Sequence, residues 1–161
     1  MSIEKVKEYF RKFDKEKDIM ELSTSSATVE LAARALNVEE GRIAKSLALK
    51  KGEEVIMLVT AGDVKIDNAK FKSEFGVKPK MLSVEETFEY TGHEVGGVCP
   101  FALKYNIPVY LDISLKRFQT VFPACGSHNS AIELTCDELD FYSKNNKWVD
   151  VCKNWGKKEI E

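Results

Sequence analysis

The amino-acid sequence predicts an α+β fold: a curved or barrel-like, mixed and largely antiparallel sheet flanked by helices. Three observations point there. Two β-rich runs, 42–50 and 55–59, follow one another across the turn Lys50-Lys51-Gly52-Glu53, and further short runs come at 107–112, 117–124, 130–134 and 147–151. Helical segments stand beside these runs instead of alternating with them one by one, which argues against a doubly wound parallel sheet. The chain has 161 residues, 43% of them hydrophobic, enough to bury one core, and no Pro/Gly/Ser-rich linker divides it, so one domain over 1–161 is expected.

The elements follow in order. Ile3, Val6, Tyr9, Phe10 and Phe13 recur at helical spacing and predict an amphipathic helix over 3–13. The Ser/Thr cluster at 23–26 offers N-caps for a second helix carrying Val29, Ala32, Ala33 and Leu36 and ending near Asn37. Arg42 to Lys50 and Val55 to Val59 then read as a hairpin. Asp67 to Phe75 reads as a helix stopped by Gly76. Ser83 with Glu86, and Thr135 with Glu138, have the capping-box spacing that starts a helix, the first of them ending at Gly92. Ile107–Asp112, Arg117–Ala124, Ser130–Leu134 and Lys147–Val151 supply the remaining strands. Strands this short and this numerous let a sheet curl toward a barrel.

Composition excludes several classes of function. Net charge is −2, with acidic and basic residues interleaved, so no broad basic stripe exists to bind nucleic acid tightly and without specificity. DNA is not an expected partner, and any RNA contact must be local or weak. The N-terminus is charged from the start and no run approaches the ~18 apolar residues of a membrane span, so a cytoplasmic protein without membrane contact is expected. Four cysteines at 99, 125, 136 and 152 show no CxxC spacing, and two histidines complete the inventory of soft ligands. That pattern argues against a zinc site or a disulfide framework; reduced thiols, no metal and no cofactor are expected.

Three segments stand out chemically. In Arg42-Ile43-Ala44-Lys45-Ser46-Leu47-Ala48-Leu49-Lys50, strand alternation puts Lys45 on the face of Ile43, Leu47 and Leu49, which should be buried. The readings stay open: a twist or bulge of the strand, a stem that snorkels to water, or a cation lining a cavity where it meets a phosphate or carboxylate. Thr91 to Phe101 holds three glycines and a proline within nine residues, a tight loop whose backbone can approach a ligand and aim N–H groups at negative charge; a plain crossover turn has the same composition. Ala124-Cys125-Gly126-Ser127-His128-Asn129 joins two β-rich runs as either a pocket rim or a solvated hairpin loop. A thiol nucleophile, Cys99 or Cys125 with His93 or His128 as base, is a further reading, although no flanking pattern supports it.

The lysine in IAKSLAL, the G-x-x-x-P loop Gly96-Gly97-Val98-Cys99-Pro100 and the late CGSHNSAIEL segment occur together in this order. In this the chain resembles the YbaK family of aminoacyl-tRNA editing domains, which includes the inserted editing domain of bacterial prolyl-tRNA synthetase and its free-standing relatives. The resemblance runs from about Ser23 to Phe141, and residues 1–22 look like an N-terminal helical extension of the free-standing kind.

The resemblance implies a carboxylic-ester hydrolase, a trans-editing deacylase that removes a wrong amino acid from the 3′ end of a tRNA, with mischarged tRNA(Pro) the first candidate. Such a second sieve is needed because a methylene is worth only ~1–3 kcal/mol to a synthetase pocket. It implies that Lys45 positions the 3′ nucleotide and that the amides of Gly97, Val98 and Cys99 hold the carbonyl. Gly96, Pro100, Phe101, Gly126, Ser127 and His128 would bind substrate. The partners are the misacylated acceptor end and, as a candidate, an aminoacyl-tRNA synthetase. Hydrolysis would be assisted by the substrate, so no catalytic triad is expected. One departure bears on specificity: members acting on cysteinyl-tRNA carry a more basic loop where this chain has Gly126-Ser127-His128-Asn129. Alanyl, cysteinyl, seryl, threonyl and nonprotein aminoacyl esters stay open, as does a non-catalytic tRNA- or nucleotide-binding module of the same fold.

Overall fold

A computed structural model describes residues 2–153; Met1 and 154–161, the two ends of the expected 1–161 domain, lie outside the described residues. Along the chain come α1 (Ser2–Arg11), β1 (Met20–Glu21), α2 (Val29–Leu36), β2 (Ile43–Lys51), β3 (Glu54–Ala61), β4 (Lys65–Ile66), α3 (Asn68–Phe75) and β5 (Lys80–Met81). Then follow α4 (Val84–Thr91), β6 (Val109–Asp112), β7 (Thr120–Pro123), β8 (Ser130–Ala131), β9 (Leu134–Thr135), α5 (Cys136–Ser143), β10 (Lys147–Val149) and β11 (Cys152–Lys153). No helix among the described residues is long and apolar enough to cross a membrane.

Local chemistry sets most helix ends. Ser83 and Thr135 each accept the backbone N–H three residues on, while Glu86 and Glu138 reach back to the cap amide, completing both capping boxes. Asp67 caps α3, and Gly76 ends it in the left-handed conformation. The cap of α2 is Thr28, just past the Ser/Thr cluster, and α1 stops at Arg11, before the expected Phe13.

The sheet is mixed and curls into a half-barrel, in the order β10-β6-β3-β2-β7-β9, with β5 also on β2. The β2/β3, β2/β5 and β7/β9 pairs are antiparallel, whereas β2/β7, β3/β6 and β6/β10 are parallel. Two small antiparallel pairs, β1/β8 and β4/β11, tie the outer segments down. The main core gathers Leu49, Ile56, Leu58, Phe71, Leu111 and Leu134 around the sheet, and Val6 and Phe10 of α1 enter it with no exposure. Phe10 meets Phe101 and Tyr142 edge-on at 4.8 and 5.1 Å, so α1 is fastened to both the glycine-rich loop and α5. A smaller cluster of Ala32, Ala33, Ile43 and Phe122 seats α2 against β2 and β7.

One irregularity of the sheet prepares the site. Along one edge β2 pairs with β3 from Ala44 to Lys51. Along the other, β7 pairs only at Ile43 and Ala44, and β5 only at Leu49 and Lys50. β7 ends at Pro123, which has no N–H to extend the ladder. Among the described residues, Lys45, Ser46 and Leu47 therefore have no strand beside them on that edge.

Candidate functional site

A cavity of about 430 Å³ opens at this gap. Its floor is Ile43 to Ala48; its walls are the 26–28 segment with the start of α2, Met81, Leu82 and Val84, the loop residues Val95, Gly96 and Val98, and Ala124, Ser130 and Ala131. Lys45 lines it half-buried, and its Nζ donates to the Val64 carbonyl at 2.9 Å. Burial pushes the Lys45 ammonium below its ordinary pKa, while Cys152 and Asp63 pull it back up. The lysine thus neither snorkels freely into water nor pairs with a carboxylate among the described residues; its ammonium is held by the carbonyl of Val64, a residue that does not itself line this cavity.

The glycine-rich loop is built by close contact. Gly96 has φ 102°, a conformation that favours glycine. A Cβ on Gly97 would lie 2.7 Å from Ser127 N and 2.8 Å from Gly126 C, so the two loops stack backbone on backbone. Gly126, at φ 96°, touches the first turn of α1: a Cβ there would lie 2.8 Å from Ser2 Oγ. The late loop is also sewn to the segment before α2, with Ser26 N donating to His128 O at 2.6 Å and Leu22 N to Asn129 O at 2.6 Å.

The sequence-derived residues separate into three groups. Lys45, Gly96 and Val98 line the main cavity. Gly97, Gly126, Ser127 and His128 line a neighbouring cavity of about 380 Å³, together with Ser2, Lys5 and Phe88. Cys99 and Phe101 are fully buried in the core, and Pro100 is buried at a third cavity beside Tyr9 and Tyr142. Among the described residues the amides of Gly96 and Val98 meet no acceptor, whereas Gly97 N donates to Glu94 O at 2.9 Å and is already committed.

The thiols fit no nucleophilic role. Cys99 Sγ lies 3.5 Å from His93 Nε2, yet the thiol is fully buried and burial pushes its pKa up to about 12. Burial likewise raises Cys125, Cys136 and Cys152. At neutral pH these groups stay protonated.

One residue escaped the sequence reading and another has a different place from the one weighed. Ser46 lines the main cavity, and its buried hydroxyl finds no partner among the described residues; its place next to Lys45 in the strand was the available signal. His93, weighed there as a base for a thiol, is instead 1% exposed and bonded at both ring nitrogens.

Comparison with known proteins identifies the family. A family described as an aminoacyl-tRNA editing domain matches residues 24–142. YwhH of Bacillus subtilis (strain 168), described as uncharacterized, is 56% identical over 156 residues, 96% of this chain and 99% of its own length. EbsC of Enterococcus faecalis (strain ATCC 700802 / V583), provisionally named a Cys-tRNA(Pro)/Cys-tRNA(Cys) deacylase, is 28% identical over 121 residues, 73% of each chain. A crystal structure provisionally described as a trans-editing enzyme for prolyl tRNA synthetase superposes with a TM-score of 0.85 at 26% identity, covering 95% of this chain and 98% of the other. The chain belongs to the aminoacyl-tRNA editing domain family, of the YbaK type that its lysine strand and two loops resemble.

Proposed function

We propose that the protein is a trans-editing aminoacyl-tRNA deacylase that hydrolyses the ester of a misacylated tRNA, mischarged tRNA(Pro) being the first candidate. One observation carries this reading: a half-buried lysine shares a 430 Å³ cavity with Gly96 and Val98, whose backbone amides have no acceptor among the described residues. A cavity of that size suits a nucleoside bearing a small acyl group.

In this reading the Lys45 ammonium leaves the Val64 carbonyl for an anionic or electron-rich group of the 3′-terminal nucleotide. The Gly96 and Val98 amides receive the ester oxygen as it gains negative charge. Water adds to the carbonyl carbon, the bond to the ribose oxygen breaks, and the proton from water ends on that oxygen. The lining residues of the cavity include no carboxylate, imidazole or thiol. The proton is therefore relayed by the substrate, through its neighbouring ribose hydroxyl or its α-amine. Ala27, Ala32, Ala44, Ala48, Ala124 and Ala131 line the walls with methyl groups, and a cavity of about 430 Å³ that also holds the nucleoside leaves room for a small, uncharged aminoacyl side chain. Alanyl and cysteinyl esters come first, the latter also in view of the name of EbsC.

The rest of the 3′ end leaves across an apolar rim. Met81, Val84 and Val95 stand exposed at the mouth, and Phe88 beyond them is 52% exposed, a ring on which a base can stack. With a net charge of −2, affinity for tRNA should be modest and salt-sensitive, with a synthetase partner as a source of further specificity.

The reading is tested with a non-hydrolysable 3′-aminoacylamino-adenosine. Titration should move the backbone amide resonances of Gly96 and Val98 and the Lys45 side-chain signals. Shifts confined to the surface around α5 would overturn the assignment of the site.

A further inference from the structure

His93 sits where three parts of the molecule meet. It follows Gly92, which ends α4 in the left-handed conformation, and its backbone N–H donates to Thr91 Oγ1 at 3.0 Å. Its Nε2 lies 2.8 Å from the carbonyl oxygen of Phe101. A carbonyl only accepts, so Nε2 carries the proton and Nδ1 is the bare nitrogen. Nδ1 in turn accepts from the hydroxyl of Ser2, at the start of α1. Burial lowers the His93 pKa, in keeping with a neutral ring.

The two ends of this bond matter. His93 and Phe101 bracket the segment that carries Gly96, Gly97 and Val98, so the imidazole ties that loop across its own neck. Ser2, on the other side of the ring, presses on Gly126 of the second loop, and Gly97 stacks on Gly126 and Ser127. A displacement of α1 or of the ring would pass to both loops, because backbone contacts this close leave no slack. Among the described residues Lys5 is the charged group that bears on the ring's titration, and Cys99 Sγ lies 3.5 Å from Nε2.

We propose that His93 is a positioning residue for ester hydrolysis: a neutral imidazole that, held by Ser2 of α1, fixes the loop whose Gly96 and Val98 line the cavity. The inference rests on the deacylase reading above, and it assigns α1 a part in the site, although α1 lies outside the 24–142 family match.

Three variants test it. His93→Leu removes both ring bonds, His93→Gln restores a donor for the Phe101 carbonyl, and Ser2→Ala removes only the link to α1. A misplacement approaching 1 Å costs about 100-fold in rate, so His93→Leu should lower kcat by about 30-fold or more with KM within about twofold. His93→Gln should recover most of that loss, and Ser2→Ala should lower kcat by about 3- to 10-fold. Amide exchange at Gly97, whose N–H is held by Glu94 O within the loop, should quicken without substrate in His93→Leu and Ser2→Ala. Parental kcat and exchange in folded His93→Leu would overturn the proposal, as would equal losses in the Leu and Gln variants that track their melting temperatures. If His93→Leu does not fold, Ser2→Ala decides: unchanged kcat and unchanged exchange would sink the idea. Should the wild-type protein hydrolyse no ester, the deacylase reading fails, while the exchange data still decide the clamp.

Discussion

Gly97→Ala perturbs the contact on which the site depends, and its size follows from the structure. A Cβ at 97 would lie 2.7, 2.8 and 2.9 Å from Ser127 N, Gly126 C and Ser127 C, all backbone atoms, where ordinary contact begins at 3.4 Å. No flexible side chain can yield, so the loops must part by about 0.7 Å, the difference between 3.4 and 2.7 Å. Gly97 is absent from the positive-φ glycines, so alanine adds no backbone strain and the cost is one of contact alone. Overpacking of this kind costs about 1–3 kcal/mol. For a domain of this size that lowers Tm by about 2–12 °C. If 1 Å of misplacement costs about 100-fold in rate, 0.7 Å costs about 25-fold. Single-turnover deacylation and thermal unfolding followed by circular dichroism read the two effects. A variant with parental rate and parental Tm would refute the backbone-on-backbone stacking.

Further outcomes follow from the charges and thiols. The Lys45 pKa is lowered by burial, so between the folded and the unfolded values the unfolded chain binds more protons and stability rises with pH. At neutral pH the buried ammonium opposes folding, so Lys45→Met should raise Tm while abolishing hydrolysis; a lower Tm would show that the lysine is structural. Wild-type activity, corrected for spontaneous hydrolysis, should fall as pH rises through the lowered Lys45 pKa. Glu86 and Glu138 are held below the usual carboxylate range, chiefly by the backbone amides of Ser83 and Thr135. Their stabilisation is complete above the ordinary value and is lost as pH falls through the lowered one, so Tm should drop on acidification below about 4.3. Glu86→Gln and Glu138→Gln should flatten that drop. Iodoacetamide at neutral pH should leave deacylation within about twofold of its starting rate, since the buried thiols stay protonated. Rapid loss of activity would revive a thiol mechanism.

What the sequence makes legible is what local chemistry determines. The capping boxes at Ser83 and Thr135, the stop at Gly76 and the β2/β3 hairpin are written in neighbouring residues, and the structure has them all. The two-residue strands β1, β4, β5 and β11 are not, because only a distant partner defines them. The run Ser130–Leu134 reads as one strand, yet it is split between β8 on β1 and β9 on β7. Arg117–Ala124 narrows to Thr120–Pro123, since a 3₁₀ turn capped by Asp112 occupies Ile113–Arg117.

The site divides in the same way. Lys45 announced itself as a cation among apolar neighbours, and the loops through their glycines. That Cys99 and Phe101 belong to the core, that the Gly97 amide is committed to Glu94, and that Gly126 is glycine because Ser2 lies on it are long-range facts. No local pattern around these residues carries them.

The most direct measurement is single-turnover hydrolysis of a panel of aminoacyl-tRNAs, beginning with alanyl- and cysteinyl-tRNA(Pro), by the wild-type protein and Lys45→Ala in parallel. The expected result is hydrolysis of at least one ester well above its spontaneous rate, lost by about 100-fold or more in a folded Lys45→Ala variant. Equal rates in the two proteins would contradict the role of Lys45. A folded wild-type protein that binds tRNA and hydrolyses no ester would leave the fold as a binding module and contradict the deacylase itself.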